Sequence, residues 1–121
     1  MRRVILDANA LMMPFQFGIN LDLELERLLG SFEVLVPTPV LIELNALAST
    51  NNLARRALRL AKKYEKIESK GNADDVLLDL ARNKKAIVVS NDKKVISSLR
   101  KEGLPYVRLR SHSHLVLEGT L

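Results

Sequence analysis

The sequence contains no cysteine. That excludes disulfides, thiolate metal sites and cysteine nucleophiles, and it fits a reducing interior, so the expected compartment is the cytoplasm. No apolar run approaches the roughly 20 residues of a membrane span, and no membrane partner is expected. The basic start passes into an apolar run that Asp7 cuts short, which argues against a signal peptide. No repeat, low-complexity tract or linker interrupts the chain, so residues 1–121 are expected to form a single domain. That length can bury a core without staples. Hydrophobic residues make up 47% and charged residues 27%, ordinary values for a globular protein. The net charge is +5 and the pI about 9.7. Such a balance favours an anionic partner such as nucleic acid, although charge alone is equally compatible with a merely basic protein.

Strand and helix signals alternate along the chain. Val4-Ile5-Leu6 reads as a first strand, and "NLDLELERLLG" as a helix, with Leu21, Leu25, Leu28 and Leu29 at helical spacing and Gly30 as its stop. "FEVLVP" is a second strand. "TPVLIELNALAST" is a helix that Thr38 can cap, with Pro39 in its first turn and Leu41, Leu44 and Leu47 on its apolar side. Residues 53–70 read as one long helix. Leu53, Ala57, Leu60, Tyr64 and Ile67 gather on one face, and Arg55, Arg59, Lys62 and Lys66 on nearly the opposite one. A helix over residues 73–83 leads into "AIVVS", a continuous aliphatic run typical of a buried parallel strand. A short helix over 92–101, a strand "PYVRL" and an edge strand in "HLVLEG" follow. This alternation indicates an α/β fold with a central, mostly parallel sheet.

In such sheets, sites form at the carboxyl ends of strands. Asp7 ends the first strand and Asp92 follows "AIVVS". Glu43 lies in the helix after the second strand, and Asp74 and Asp75 open the helix before "AIVVS". Each has a local explanation: Asp74 and Asp75 suit a helix N-terminus, Asp92 can cap the next helix, and Glu43 can face solvent. Asp7 is harder to explain locally, because a carboxylate abutting a buried strand needs hydrogen bonds or a counter-charge. If the sheet brings these elements together, the carboxylates repel one another unless a cation neutralises them. With no histidine or cysteine nearby, the donors are all hard oxygens, which select Mg²⁺ or Mn²⁺. Such an ion, or a pair of them, can activate water and stabilise charge on a phosphoryl group. The basic helix face is then a candidate phosphate-tracking surface built from Arg55, Arg59, Lys62 and Lys66. An acidic site with a basic flank describes a metal-dependent nuclease.

With these residues in place, the sequence resembles the PIN-domain ribonucleases. The shared pattern is a strand ending in Asp with a small polar residue two positions on ("VILDANAL"), then a Glu in the helix after the second strand ("PTPVLIELNAL"). An acidic opening of a late helix ("NADDVLLDLA") and a strand followed by Ser/Thr-Asn-Asp ("AIVVSNDKKV") complete it. All four parts occur in order over nearly the whole chain. The resemblance implies a three-layer α/β/α sandwich and endonucleolytic cleavage of RNA. It also implies one or two Mg²⁺ or Mn²⁺ ions held by Asp7, Glu43, Asp74 and Asp92, with Asp75 as the alternative to Asp74. The apolar register of Leu77, Leu78 and Ala81 favours Asp74. Asn9, Ser90 and Asn91 would orient the carboxylates. A homodimer is implied as well. Within the family, the long stretch between Asp7 and the "NLDLELERLL" helix is closer to the archaeal and eukaryotic ribosomal-RNA-processing branch than to VapC-type toxins, whose first helix begins sooner. The toxin reading, with an antitoxin as partner in place of a ribosome-assembly factor, stays open. So does a non-catalytic RNA-binding role for the same fold.

Other classes fit less well. A haloacid-dehalogenase-like phosphatase needs a second aspartate where Asn9 stands, and a response-regulator receiver needs an acidic pair at strand one and a central aspartate after strand three. His112 and His114 in "SHSH" are spaced like metal ligands but fit a solvent-exposed segment better. Phe15, Phe17 and Tyr64 are candidates for base stacking, although such spacings more often belong to a core or a dimer interface.

Overall fold

The structure is a computed structural model that describes residues 1–121. Its elements are β1 (Arg2–Leu6), α1 (Ala8–Phe17), α2 (Leu21–Leu29), β2 (Phe32–Pro37), α3 (Thr38–Ala48), α4 (Asn52–Ala61), β3 (Glu65–Ile67), α5 (Ala73–Asn83), β4 (Ile87–Val89), α6 (Lys93–Lys101), β5 (Tyr106–Arg110) and β6 (His114–Glu118). The six strands form one sheet in the order β3-β2-β1-β4-β5-β6. All pairs are parallel except β5–β6.

Alternation along the strands divides the core in two. Val4 and Leu6 face a cluster with Leu11, Met13, Leu25, Leu44 and Ala57 from α1–α4. Ile5 and Val88 face the other way, onto Val76, Leu77, Leu80, Val95 and Leu99 from α5 and α6. A sheet buried on both sides explains the continuous aliphatic runs, and the expected three-layer α/β/α sandwich is what the chain forms. Buried Ala54, Ala57 and Ala61 line the inner side of α4, where their small size lets it lie close against α1 and α3.

The β5–β6 hairpin closes one end of the sheet. Leu109 turns its N–H toward Asn91 of the neighbouring β4 end (3.2 Å), so the opposite residue, Leu115, points its main-chain groups outward. There α2 meets them. Leu115 N–H donates to Glu24 Oε1 (2.8 Å), and its carbonyl accepts from Arg27 Nη2 (2.7 Å).

Three expectations are corrected. The long helix over 53–70 ends at Ala61, and the chain turns through Lys62 and Lys63 into the edge strand β3, which pairs with β2 from Leu35↔Glu65 to Pro37↔Ile67. Pairing satisfies main-chain groups of β2 that a continuing helix would leave open. Secondly, a helix starts directly after Asp7: α1 runs from Ala8 to Phe17 despite Pro14 inside it, and stops at Gly18, whose φ of 68° is left-handed. Its delayed start, which supported the ribosomal-RNA branch over the toxins, is absent. Finally, Thr38 does not cap α3. Its hydroxyl donates to the Ser69 carbonyl (3.1 Å) and accepts from the Ser69 N–H (3.0 Å), tying the start of α3 to the chain just after β3. The buried side of α3 is Pro39, Val40 and Leu44, and Leu47 is exposed.

Candidate active site

From β1 the chain moves outward through β2 to β3, then returns to add β4 on the other side of β1. The carboxyl ends of β1 and β4 therefore flank a topological switch point, where open α/β sheets leave a crevice. Leu6 pairs with Val89, so the next residues on each strand, Asp7 and Ser90, are neighbours. Both are buried, at 6% and 0% exposure.

Asp7 is fully engaged. Its Oδ1 accepts from the Ala10 N–H at 2.7 Å, capping α1, and its Oδ2 accepts from the Ser90 hydroxyl. Ser90 Oγ in turn accepts from the Asp92 N–H at 3.0 Å. Asp92 uses Oδ1 to cap α6, accepting from Lys94 N–H (2.8 Å) and Val95 N–H (3.4 Å). One serine thus holds the two strand-end aspartates in register.

Burial pushes the Asp7 carboxyl up from its ordinary 3.8 to about 7; the Ser90 and Ala10 hydrogen bonds oppose this, and the charges of Asp92 and Glu43 add to it. Glu43 is also raised, first by burial and then by the charges of Asp74 and Asp92. The four acidic residues therefore feel one another, and none of them is in an ion pair. No three of them stand close enough together to ligate a single ion directly in this arrangement. Asp7 and Asp92 are fixed by their hydrogen bonds, whereas Glu43 projects as an exposed side chain from the second turn of α3 and Asp74 from the first turn of α5.

Asp74 and Asp75 separate clearly. Asp75 belongs to a reciprocal cap: its N–H donates to Asn72 Oδ1 (2.9 Å) and its Oδ2 accepts from Asn72 Nδ2 (2.8 Å). Asp74 has no such partner and is the aspartate whose charge reaches Glu43. The remaining polar residues divide too. Ser90 donates its hydroxyl to Asp7. Asn9 is exposed and forms no hydrogen bond with a carboxylate, because Ala10 N–H already caps Asp7 from the same turn. Asn91 turns away to accept from Leu109 N–H, bracing β5 against the end of β4. The Thr38–Ser69 clamp, which steadies the helix carrying Glu43, had no local sequence signal, since its partners lie 31 residues apart.

The basic face survives only in part. Arg55, Arg59 and Lys62 lie along and just past α4, all exposed, but Lys66 belongs to β3. Arg55 donates to the Ala48 carbonyl (2.9 Å).

A family model described as a PIN-like domain matches residues 4–112, spanning every element from β1 to the end of β5. The chain belongs to the PIN-like domain family. Ribonuclease VapC4 of Methanocaldococcus jannaschii is 30% identical over 129 residues, covering 98% of both proteins. The solved PIN domain endonuclease Utp24 superposes with a TM-score of 0.83 at 28% identity, over 98% of this chain and 92% of that one. A domain of a functionally unknown Methanocaldococcus jannaschii protein shares the fold, with a TM-score of 0.63 at 13% identity over 100% and 99% of the two chains. The PIN-like relatives thus include one protein named as a ribonuclease and one named as an endonuclease.

Proposed function

We propose that this PIN-like chain is a metal-dependent endoribonuclease that hydrolyses RNA phosphodiester bonds at Asp7, Glu43, Asp74 and Asp92. The observation that carries the reading is electrostatic: Asp7 and Glu43 are held above the ordinary carboxylate range, by burial first and then by the charges of their acidic neighbours Asp74 and Asp92, and no basic side chain is paired to any of the four. Uncompensated carboxylates in an all-oxygen donor set fit a hard divalent ion, Mg²⁺ or Mn²⁺. Asp7 and Asp92 would hold it from fixed positions, with Glu43 and Asp74 adjusting as exposed side chains. When bound, such an ion supplies a counter-charge for carboxylates and phosphate and makes water a competent nucleophile. The chain's own contribution is positioning. Ser90 and the Ala10 N–H fix both oxygens of Asp7, the first turn of α6 fixes one oxygen of Asp92, and Thr38 braces the helix of Glu43.

The relative named as a ribonuclease supports RNA as substrate; the setting we propose is RNA turnover in the cytoplasm. Similarity in shape to the endonuclease Utp24 supports internal cleavage, and the setting we favour is RNA processing such as ribosomal-RNA maturation, with a ribosome-assembly partner. The 30% identity with Ribonuclease VapC4 supports ribonuclease activity, for which the second setting we weigh is a toxin held by an antitoxin. A small antitoxin gene beside this one would favour the second. A homodimer is compatible with either.

The test is cleavage of a structured RNA with Mn²⁺, with Mg²⁺ and with EDTA. Wild type is expected to cut with a divalent ion and to stop in EDTA. Asp7→Asn should lose about a hundredfold or more, beyond the loss typical of residues that merely orient a metal ligand. Wild type that binds RNA in the presence of Mn²⁺ and never cuts it would leave a binding protein instead.

A further inference from the structure

The turn between β5 and β6 lies on the site's side of the sheet. It begins one residue after Leu109, which Asn91 ties to the β4 end beside Asp92. Two successive residues in it, Ser111 and His112, have φ of 53° and 54°, and the turn is closed by Ser113 N–H donating to the Arg110 carbonyl (3.1 Å). Left-handed backbone at two adjacent positions normally calls for glycine or asparagine. Here the strained conformation lays the His112 imidazole flat on Phe17 at the end of α1, with ring centroids 4.8 Å apart and planes 18° apart. Phe17 is half-buried, while His112 is exposed. Beside it Arg110 is exposed and in no ion pair.

We propose that His112, supported by Phe17, is a stacking platform for an unpaired nucleobase of single-stranded RNA entering the carboxylate site, with Arg110 contacting the adjoining phosphate. The inference rests on the reading of RNA as the substrate. A flat ring with a positive side chain next to it is the arrangement by which proteins hold single strands without reading sequence. The surroundings favour RNA over a protein partner, because the ring stands among exposed Ser111, Ser113 and Arg110, without the apolar surface a protein contact gathers around its aromatic anchors.

The chain has no tryptophan, so His112→Trp introduces a single fluorophore at the platform. Binding of a short oligouridine is measured in EDTA, where nothing is cut. Wild type and His112→Trp should bind alike, with the indole emission quenched. His112→Ala and His112→Leu should bind about tenfold more weakly. His112→Leu is the decisive control, since it still covers Phe17 and keeps the packing without a stacking face. Replacing one uridine by an abasic unit should weaken wild type and leave His112→Ala unchanged. Equal affinity for all variants, an unquenched indole, or a His112→Ala effect seen only in self-association would overturn the platform. Cleavage by the same preparations with Mn²⁺ reports separately on the nuclease: a platform that binds without turnover fails that reading alone, and normal cleavage with indifferent His112 variants fails the platform alone.

Discussion

Asp7 is where burial and charge conflict most sharply. Its carboxyl is held near pKa 7, against an ordinary 3.8. Below about pH 4 it is protonated both folded and unfolded, and it imposes no penalty on the fold. Between about 4 and 7 the unfolded chain loses that proton while the folded one keeps it, so stability falls as pH rises. Above about 7 the loss is complete and constant. At 1.36 kcal/mol per pH unit, the interval corresponds to about 4 kcal/mol at most. In metal-free protein, Asp7→Asn should therefore become progressively more stable than wild type from pH 4 to 7, by about 1–4 kcal/mol at the plateau. Urea unfolding of both proteins across that range checks it. A difference that does not change with pH would mean that Asp7 is ionised throughout. The same residue also shows what sequence can reveal. An aspartate closing an aliphatic strand was legible as unusual from its neighbours alone. Its partner Ser90 became legible only through the family pattern, because the strand register that joins them spans 83 residues.

At the scale of elements, the two acidic residues opening α5 divide the labour between shape and chemistry. Asp75 closes a cap with Asn72, and the charge of Asp74 acts on Glu43. Asp74→Asn should abolish most RNA cleavage with little change in melting temperature. Asp75→Asn should keep cleavage near wild type and lose up to about 1 kcal/mol of stability with the cap. The reverse pattern would exchange their roles. Most strands and helices were legible, since β2, α2, α5 and β4 carry clean apolar runs bounded by Gly, Pro or polar caps. β3 and α1 are not marked by local pattern, each for its own reason. β3 is three residues long, with Glu65 and Lys66 exposed, and exists because β2 offers it an edge to pair with. Its "YEKI" happens to continue the helical spacing of the segment before it. α1 is apolar on most sides and contains Pro14, so neither periodicity nor composition marks it. Only its cap, Asp7, signals its start, and the same residue carries the site's buried charge.

Over the whole molecule, a net charge of +5 coexists with an acidic site. The excess positive charge must lie elsewhere, and Arg59 and Lys62 on the α4 side are free to meet phosphates, as is Arg55 apart from its bond to Ala48. Replacing Arg55, Arg59 and Lys62 together by glutamine should reduce the slope of log affinity for single-stranded RNA against log salt by about 2. An unchanged slope would place the phosphate path on another face. The hairpin edge bears on how copies of the chain can meet. An outer strand with free main-chain groups invites a foreign strand to dock alongside it. On β6 the groups of Leu115 are already occupied by Glu24 and Arg27 from within the same molecule. A newcomer seeking the main-chain groups of Leu115 would have to displace a charged pair first. Growth of the sheet by a foreign strand is therefore hindered at the Leu115 end of β6.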